Sequence, residues 1–393
     1  MPKLTAVVVF LFAAASMANC RLEQPKYSRH MTITMPKSTT KYITMDNRLY
    51  TVSINKSNVR VNSSDVNHKP CDMTIESVKD FIRGEMKVDA SDKMIYIVGE
   101  HNVERVDSKD RTKYTLLIIN PHDCTLKPAD IPDINVGMKP ALPRLLVNSA
   151  GVDVYFPSMQ SCAPCRIDNQ GIKVNDVPPQ VTPPVTLTDH RIFLFDMRKV
   201  GDNYLYAQNM EGKVTTIRSL DVSMNVIKEK QVDYPVDAMA NAKAGITGVC
   251  SRARDRFVMD IAAYSEVICE KINSNLDRSV RIRIPIVPHS KPVSRVSYDI
   301  DETTDKTIIA FAENQDLRVY IYNPSGQRLK SYDLGKIDER FEKYKHQRMF
   351  YTPYSHWNLR GFITGKEYYL VTEQLSCTDE HEIDLHDVRC INI

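Results

Sequence analysis

The chain has 393 residues, with 52 basic and 49 acidic side chains and a formal net charge of +3. So even a balance excludes strong whole-molecule attraction to nucleic acid or to acidic lipid. With 42% hydrophobic residues the chain is too apolar to be disordered throughout, and its length allows one large domain or two ordinary ones.

The first element is a leader. Lys3 supplies a short positive start, Leu4 to Ala15 an apolar run, and Ser16-Met17-Ala18 a small-residue cleavage site, the pattern of a secretory signal peptide. Ala18-Asn19-Cys20 also ends in small residues, so cleavage after Ala18 and cleavage after Cys20 both fit. The run is shorter than the ~20 apolar residues that a bilayer requires, and no later window is long enough. The expectation is residues 1–18 as signal peptide and 19–393 as one exported domain, secreted and extracellular, with no membrane anchor and no nucleic-acid partner.

Nine cysteines follow from this compartment: Cys20, Cys71, Cys124, Cys162, Cys165, Cys250, Cys269, Cys377 and Cys390. In an oxidising environment disulfides are the default. Spacing suggests Cys71 with Cys124, Cys250 with Cys269, and Cys377 with Cys390. Asn55-Lys56-Ser57 and Asn62-Ser63-Ser64 are glycan acceptor sequons, whereas Asn323-Pro324-Ser325 is blocked by its proline.

Along the chain, short strand patterns recur. Met94 to Val98 with Lys113 to Asn120 is one unit. Cys162-Ala163-Pro164-Cys165 has thiol-disulfide oxidoreductase spacing, but the residues after it, Arg166 to Val174, read as strand, turn and strand. Without a helix beside it no macrodipole lowers a thiol pKa, so a structural disulfide is the simpler reading. Residues 177–184 (VPPQVTPP) read as a passage between sheets. Arg191 to Asp196, Tyr204 to Gln208, Val214 to Ser219 and Asn225 to Lys230 form a four-strand unit. Phe257 to Ile261, Glu266 to Ile272 and Val280 to Ile284 form another. In this unit Arg252, Arg254, Arg256, Arg278, Arg281 and Arg283 crowd together; guanidinium groups could fork onto anionic groups of a partner, or simply charge an outer edge against aggregation.

Asp299, Asp301 and Asp305 gather in a loop and offer the hard oxygen donors that calcium prefers; the plain alternative is a solvated hairpin turn. Thr307 to Leu334 reads as three strands joined by tight turns. Both faces of Thr307 to Ala312 are apolar, Leu317 to Tyr322 has a drier and a wetter face, and Asn323-Pro324-Ser325-Gly326 is a turn. This is the inner, middle and outer order of a propeller blade. Lys336 to Met349 and Thr74 to Met86 have helical spacing and predict one or two short inserted helices. Tyr351, Tyr354, His356 and Trp357 form an aromatic loop that could anchor a partner. Arg360 to Thr364 and Tyr368 to Thr372 are two further strands. If 379–387 (DEHEIDLHD) is a strand, Glu382, Asp384 and His386 share a face and could hold a divalent cation.

The unit starts recur roughly every 45 to 55 residues, within the range of propeller blades. The expected fold is therefore an all-β propeller of about seven blades, with six or eight also allowed; a pair of β-sandwiches is the rival. No Gly-rich phosphate loop, Gly-x-Ser-x-Gly elbow or His-Glu-x-x-His motif is present. The expected role is non-enzymatic: binding of an extracellular protein or glycan by a monomer, as in a salivary or venom-type host-directed effector. The alternative is a hydrolase whose divalent cation sits at the propeller channel.

Overall fold

The structure is a computed structural model. It describes residues 30–33, 38–55, 57–65, 67–75, 87–91, 93–106, 109–131, 144–148, 151–155, 165–171, 192–200, 203–210, 214–221, 225–232, 234, 236, 238–240, 246–258, 261–286, 296–313, 315–337, 358–377 and 382–393. These residues hold 27 strands and no helix. The strands form seven antiparallel sheets, six of four strands and one of three, taken up in chain order. The fold is a β-propeller. Its chain divides into two compact units, Lys37–His190 and Met1–Pro36 with Arg191–Ile393.

The unit Lys37–His190 holds three sheets: β2 (Ser38–Met45), β3 (Arg48–Asn55), β4 (Asn58–Ser63) and β5 (Cys71–Thr74); β6 (Lys87–Ala90), β7 (Ile95–Val106), β8 (Lys109–Asn120) and β9 (Thr125–Asp130); and β10 (Arg144–Asn148), β11 (Gly151–Tyr155) and β12 (Cys165–Asp168). Asp46 and Asn47 turn the chain between β2 and β3 with φ of 51° and 55°, the left-handed pair that suits a two-residue hairpin. One apolar cluster, with Tyr50, Val52, Ile95, Ile97 and Leu117, fills the space between the first and second sheets. Another, with Tyr96, Leu116, Val152 and Ile167, lies between the second and third. Period-two alternation makes this possible, because each middle strand sends alternate side chains into opposite clusters. The Cys71–Cys124 disulfide expected from spacing is formed and closes a separation of 53 residues.

The other unit carries four sheets: β13 (Ile192–Val200), β14 (Asn203–Met210), β15 (Val214–Leu220) and β16 (Val226–Val232); β17 (Ala238–Met239), β18 (Ile246–Val258), β19 (Ile261–Asn273) and β20 (Arg278–Pro285); β21 (Ser297–Ile300), β22 (Thr307–Glu313), β23 (Asp316–Tyr322) and β24 (Arg328–Lys336); and β25 (Asn358–Thr364), β26 (Glu367–Cys377) and β27 (Glu382–Asn392) with β1 (His30–Ile33). The first described strand is thus the edge strand of the last sheet, with His30 opposite Val388 and Ile33 opposite Leu385.

The sheet β21–β24 shows why the two-faced apolar pattern arises. Every residue of β22 is buried. Ile309, Phe311, Tyr320 and Tyr322 pack toward the preceding sheet with Val267, Ile282 and Ile284. Ile308, Ala310, Ala312, Leu317 and Val319 pack toward the following sheet with Tyr368, Leu370 and Ile391. Phe311 and Tyr320 stack with centroids 5.6 Å apart. The edge strand β24 is mostly exposed.

Three details differ from the sequence expectation. Thr307 to Ala312 is the second strand of its sheet, since the short β21 precedes it. Phe257 and Val258 end β18 and Ile261 begins β19, with Val258 paired to Ile261, so these residues are strand ends and not one strand. Cys377 stands opposite Glu382, and Cys390 opposite Tyr369, eight residues along β26 from Cys377. At strand rise that separation is about 27 Å, far beyond disulfide reach, so Cys390, which is disulfide-bonded, has a different partner. Cys269 is also disulfide-bonded, and Cys250 is the residue opposite it. The expected helices over 74–86 and 336–349 fall mainly outside the described residues; their first residues, Thr74 and Lys336, end strands β5 and β24.

Candidate functional site

In a propeller the first strand of each sheet is turned toward the axis, and polar groups there can meet a ligand. Two such strands, β21 and β25, build a connected hydrogen-bond chain. The Gly361 N–H donates to Ser297 Oγ at 2.7 Å. Ser297 Oγ donates to Asp299 Oδ2 at 3.0 Å, and Tyr368 Oη, from β26, donates to the same oxygen at 3.0 Å. A side chain at Gly361 is excluded: its Cβ would lie 2.0 Å from Tyr368 Oη and 2.2 Å from Asp299 Oδ2. A glycine inside a strand is thus the condition for the close approach.

Asp299 Oδ1 makes no hydrogen bond among the described residues, and Asp299 is partly exposed. Burial pushes its carboxyl above the ordinary value, against the hydrogen bonds from Tyr368 and Ser297 and the charges of Arg360 and Arg198. The Tyr368 hydroxyl is pushed well up, first by burial and then by the neighbouring Asp299 charge. Arg360 lies over the Phe362 ring, 5.2 Å from its centroid, is partly exposed, and makes no hydrogen bond among the described residues. The constellation therefore presents one fixed carboxyl with an open oxygen. Beneath it, the buried Tyr298 ring occupies the space over Gly248, where a Cβ would meet it at 1.7 Å.

The other aspartates of the loop do not join Asp299. Asp301 closes its own turn, accepting from the Thr303 N–H at 3.0 Å and from the Thr304 hydroxyl. Asp305 accepts from the buried Lys271 Nζ at 3.0 Å, and its carbonyl does so at 2.7 Å. In β27 the backbone places Glu382, Asp384 and His386 on one face by alternation. His386 is buried, while the side chains of Glu382 and Asp384 lie outside the described residues. Among the described residues no three His, Cys, Asp or Glu side chains form a group that could hold a metal ion.

The arginine cluster is divided. Arg278 and Arg281 approach the buried Glu270 at 2.9 and 3.4 Å, and Arg283 approaches Glu266 at 3.4 Å. Arg252, Arg254 and Arg256 lie in β18, with their side chains outside the described residues. Cys162, Tyr354 and Trp357 are outside as well, and of Cys165 only the backbone, at the start of β12, is described. Asn55 is exposed at the end of β3, opposite Asn58 of β4, and Asn62 is partly exposed in β4.

Two further polar clusters differ in character. The buried Arg389 of β27 donates to Asp387 Oδ2 at 2.8 Å, to the carbonyls of Gly335 and Lys336 at 3.1 and 2.6 Å, and to that of Leu334. It clamps the end of β24. In the unit Lys37–His190, the His68 ring meets Tyr50 and His122 edge-on, at 5.7 and 6.1 Å. Its Nε2 is buried with no hydrogen-bond partner among the described residues. His122 pairs with Asp46 at 3.0 Å and Arg48 with Asp65 at 3.1 Å. Burial, then the charges of His122 and Arg48, lower the His68 pKa.

No protein-family model matches this sequence, and no curated protein matches it. Solved structures do. The Nup133 β-propeller domain of Vanderwaltozyma polyspora is 8% identical, covering 93% of this chain and 98% of its own, with a TM-score of 0.47. The polysaccharide lyase Uly1 is 8% identical, covering 97% and 95%, with a TM-score of 0.46. The Pan2 WD40 domain of Neurospora crassa is 10% identical, covering 93% and 96%, with a TM-score of 0.34. The likeness is one of fold. No residue of this chain takes a role from it.

Tyr368, Ser297, Gly361, Arg360 and Arg198 were not singled out in the sequence as site residues. The one available signal was Gly361 between Arg360 and Phe362, a glycine within a strand pattern, which marks close approach of another group.

Proposed function

We propose that the protein is an exported β-propeller that works by binding an extracellular glycan or protein, with the Asp299 constellation as its contact. The observation that carries this reading is the open, partly exposed Asp299 Oδ1, on strands locked by Ser297, Tyr368 and Gly361. A rigid support with unspent donors and acceptors is what a recognition site needs. Export is supported by the leader pattern of residues 1–18 and by the Cys71–Cys124 disulfide, which persists in oxidising compartments. No described helix is long and apolar enough to cross a membrane. In that setting Asn55, exposed beside a hairpin turn, is the better placed of the two glycan acceptors. A monomeric, host-directed effector is the role that fits these features.

The test is an array of extracellular glycans and receptor ectodomains, probed with the secreted protein and with Asp299→Asn. A partner bound by the wild type and lost by the variant is the expected result. Unchanged binding by the variant, or a stoichiometric divalent ion together with ester or phosphate hydrolysis by the purified protein, would overturn the reading.

A further inference from the structure

The outer strands of the sheets differ in charge between the two units. β16, β20 and β24 carry two, three and three basic residues, against the acidic Glu229 and Asp333 alone. Their counterparts β5, β9 and β12 carry Lys127 and Arg166 against Asp72, Asp130 and Asp168. Charge on an exposed edge blocks strand pairing, but charge of either sign does so. A surplus of one sign on consecutive edges is left unexplained.

Strand register locates the densest part of it. On β16, Lys228 stands opposite Ser219 and Lys230 opposite Ile217. On β20, Arg278 stands opposite Ile272, Arg281 opposite Glu270 and Arg283 opposite Ile268. Ile217, Ile268 and Ile272 share one apolar cluster, built from these two sheets, so all five cations lie on the faces that the sheets turn toward each other. The alternate residues Ile282 and Ile284 point into the opposite cluster. Two contacts join the walls in the turn that leads into β20: Lys230 Nζ donates to the Leu276 carbonyl at 3.2 Å, and Lys228 Nζ lies 3.5 Å from Asp277 Oδ1. The cations thus form a strip that starts at Lys228 and Lys230 and follows β20 from Arg278 to Arg283, a rise of about 17 Å.

Three carboxylates accompany the five cations. Arg278 and Arg281 share the buried Glu270 at 2.9 and 3.4 Å, Arg283 approaches Glu266 at 3.4 Å, and Lys228 has Asp277. Lys230 meets a carbonyl and no carboxylate among the described residues. The three arginines and Lys228 are exposed, and exposed pairs are worth little in water, so these donors are available to a stronger acceptor.

We propose that the junction of β16 and β20 binds a linear sulfated polysaccharide, with its sulfates laid along the strip and the arginine forks on their oxygens. A single anion occupies one or two of these cations. A chain with repeated oxyanions meets all five and releases counterions as it does so. Outside the cell, sulfated sugars supply such a chain. The contact is separate from Asp299 and goes beyond the reading above, sharing with it only the exported setting.

The experiment measures binding of the full secreted chain to heparin, to desulfated heparin and to a single-stranded DNA oligonucleotide of matched charge, over a salt series. The proteins are wild type, Lys228→Gln with Lys230→Gln, Arg281→Gln with Arg283→Gln, Lys93→Gln with Lys127→Gln, and Asp299→Asn. Lys93 and Lys127 are exposed in the other unit, so that pair makes the same change in net charge elsewhere. At about 0.15 M salt, wild type should bind heparin more tightly than either comparison polymer. Each strip variant should bind it about tenfold or more weakly, with a shallower salt dependence, while the Lys93 and Lys127 pair and Asp299→Asn bind as wild type does. Heparin left unbound by wild type, strip variants that bind unchanged, or an equal loss in the Lys93 and Lys127 pair would overturn the strip and leave the Asp299 reading intact. DNA bound as tightly as heparin would overturn the sulfated sugar. Loss of heparin binding in Asp299→Asn would overturn the separateness of the two contacts. The Lys228 and Lys230 pair lies on an exposed edge strand, so its unfolding midpoint should match wild type and loss of fold does not imitate the result.

Discussion

Two aspartates in the unit that ends at Ile393 meet arginine in opposite ways. Asp387 is fully buried and bonded to Arg389, whose remaining donors go to the carbonyls of Leu334, Gly335 and Lys336. The charges are paired and the guanidinium donors are spent, while Asp387 Oδ1 is buried with no hydrogen-bond partner among the described residues, and the cluster joins two sheets. Asp299 takes two neutral hydroxyls on a single oxygen, and the nearby guanidinium of Arg360 holds no hydrogen bond among the described residues. A polar cluster sealed from solvent is structural because no ligand reaches it. An open one supported as firmly has capacity for a ligand.

Substitutions separate the two. Arg389→Met strands the buried Asp387 carboxylate and opens three carbonyls, an expected loss of about 3–5 kcal/mol; denaturant midpoints would register it, and binding of folded protein at Asp299 should be unchanged. Gly361→Ala presses a methyl onto Tyr368 Oη and Asp299 Oδ2, with an expected loss of about 1–3 kcal/mol and weakened ligand binding as well. Asp299→Asn acts through pH. Because the folded carboxyl titrates above its unfolded value, its contribution to stability is full below the unfolded pKa and is lost as pH rises through the folded one. The variant should therefore gain stability relative to wild type as pH rises, measurable as diverging denaturation midpoints.

The smallest effect belongs to His68, a third kind of polar group, half-enclosed and unpartnered at Nε2. Its folded pKa lies below the unfolded value of about 6.5. Stability that is present above that value falls as pH drops toward the folded pKa. His68→Gln should remove this acid-side loss, while the partner groups Arg48, Asp65, His122 and Asp46 remain.

How legible these features were follows from range. The repeat of strands was readable because alternation and turn residues are local: the units 191–230 and 307–334 fall on observed sheets, and β22 is apolar on both faces because sheets cover both. Strand ends were less readable, as at Phe257 to Ile261, where β18 ends and β19 begins. The pairing of β1 with β27 joins residues more than three hundred positions apart, and no local pattern announces it. The same limit hid the site. Asp299 stood out for the wrong neighbours, Asp301 and Asp305, which are close in sequence but bond elsewhere. Its real partner Tyr368, and Gly361, which bonds to the Ser297 hydroxyl that also holds it, come from another sheet.

The central claim is that Asp299 is a desolvated carboxyl fixed by the Ser297 and Tyr368 hydroxyls. Carbon-13 NMR titration of its side-chain carboxyl tests it most directly. The account predicts a pKa above that of ordinary aspartates; an ordinary pKa would contradict it.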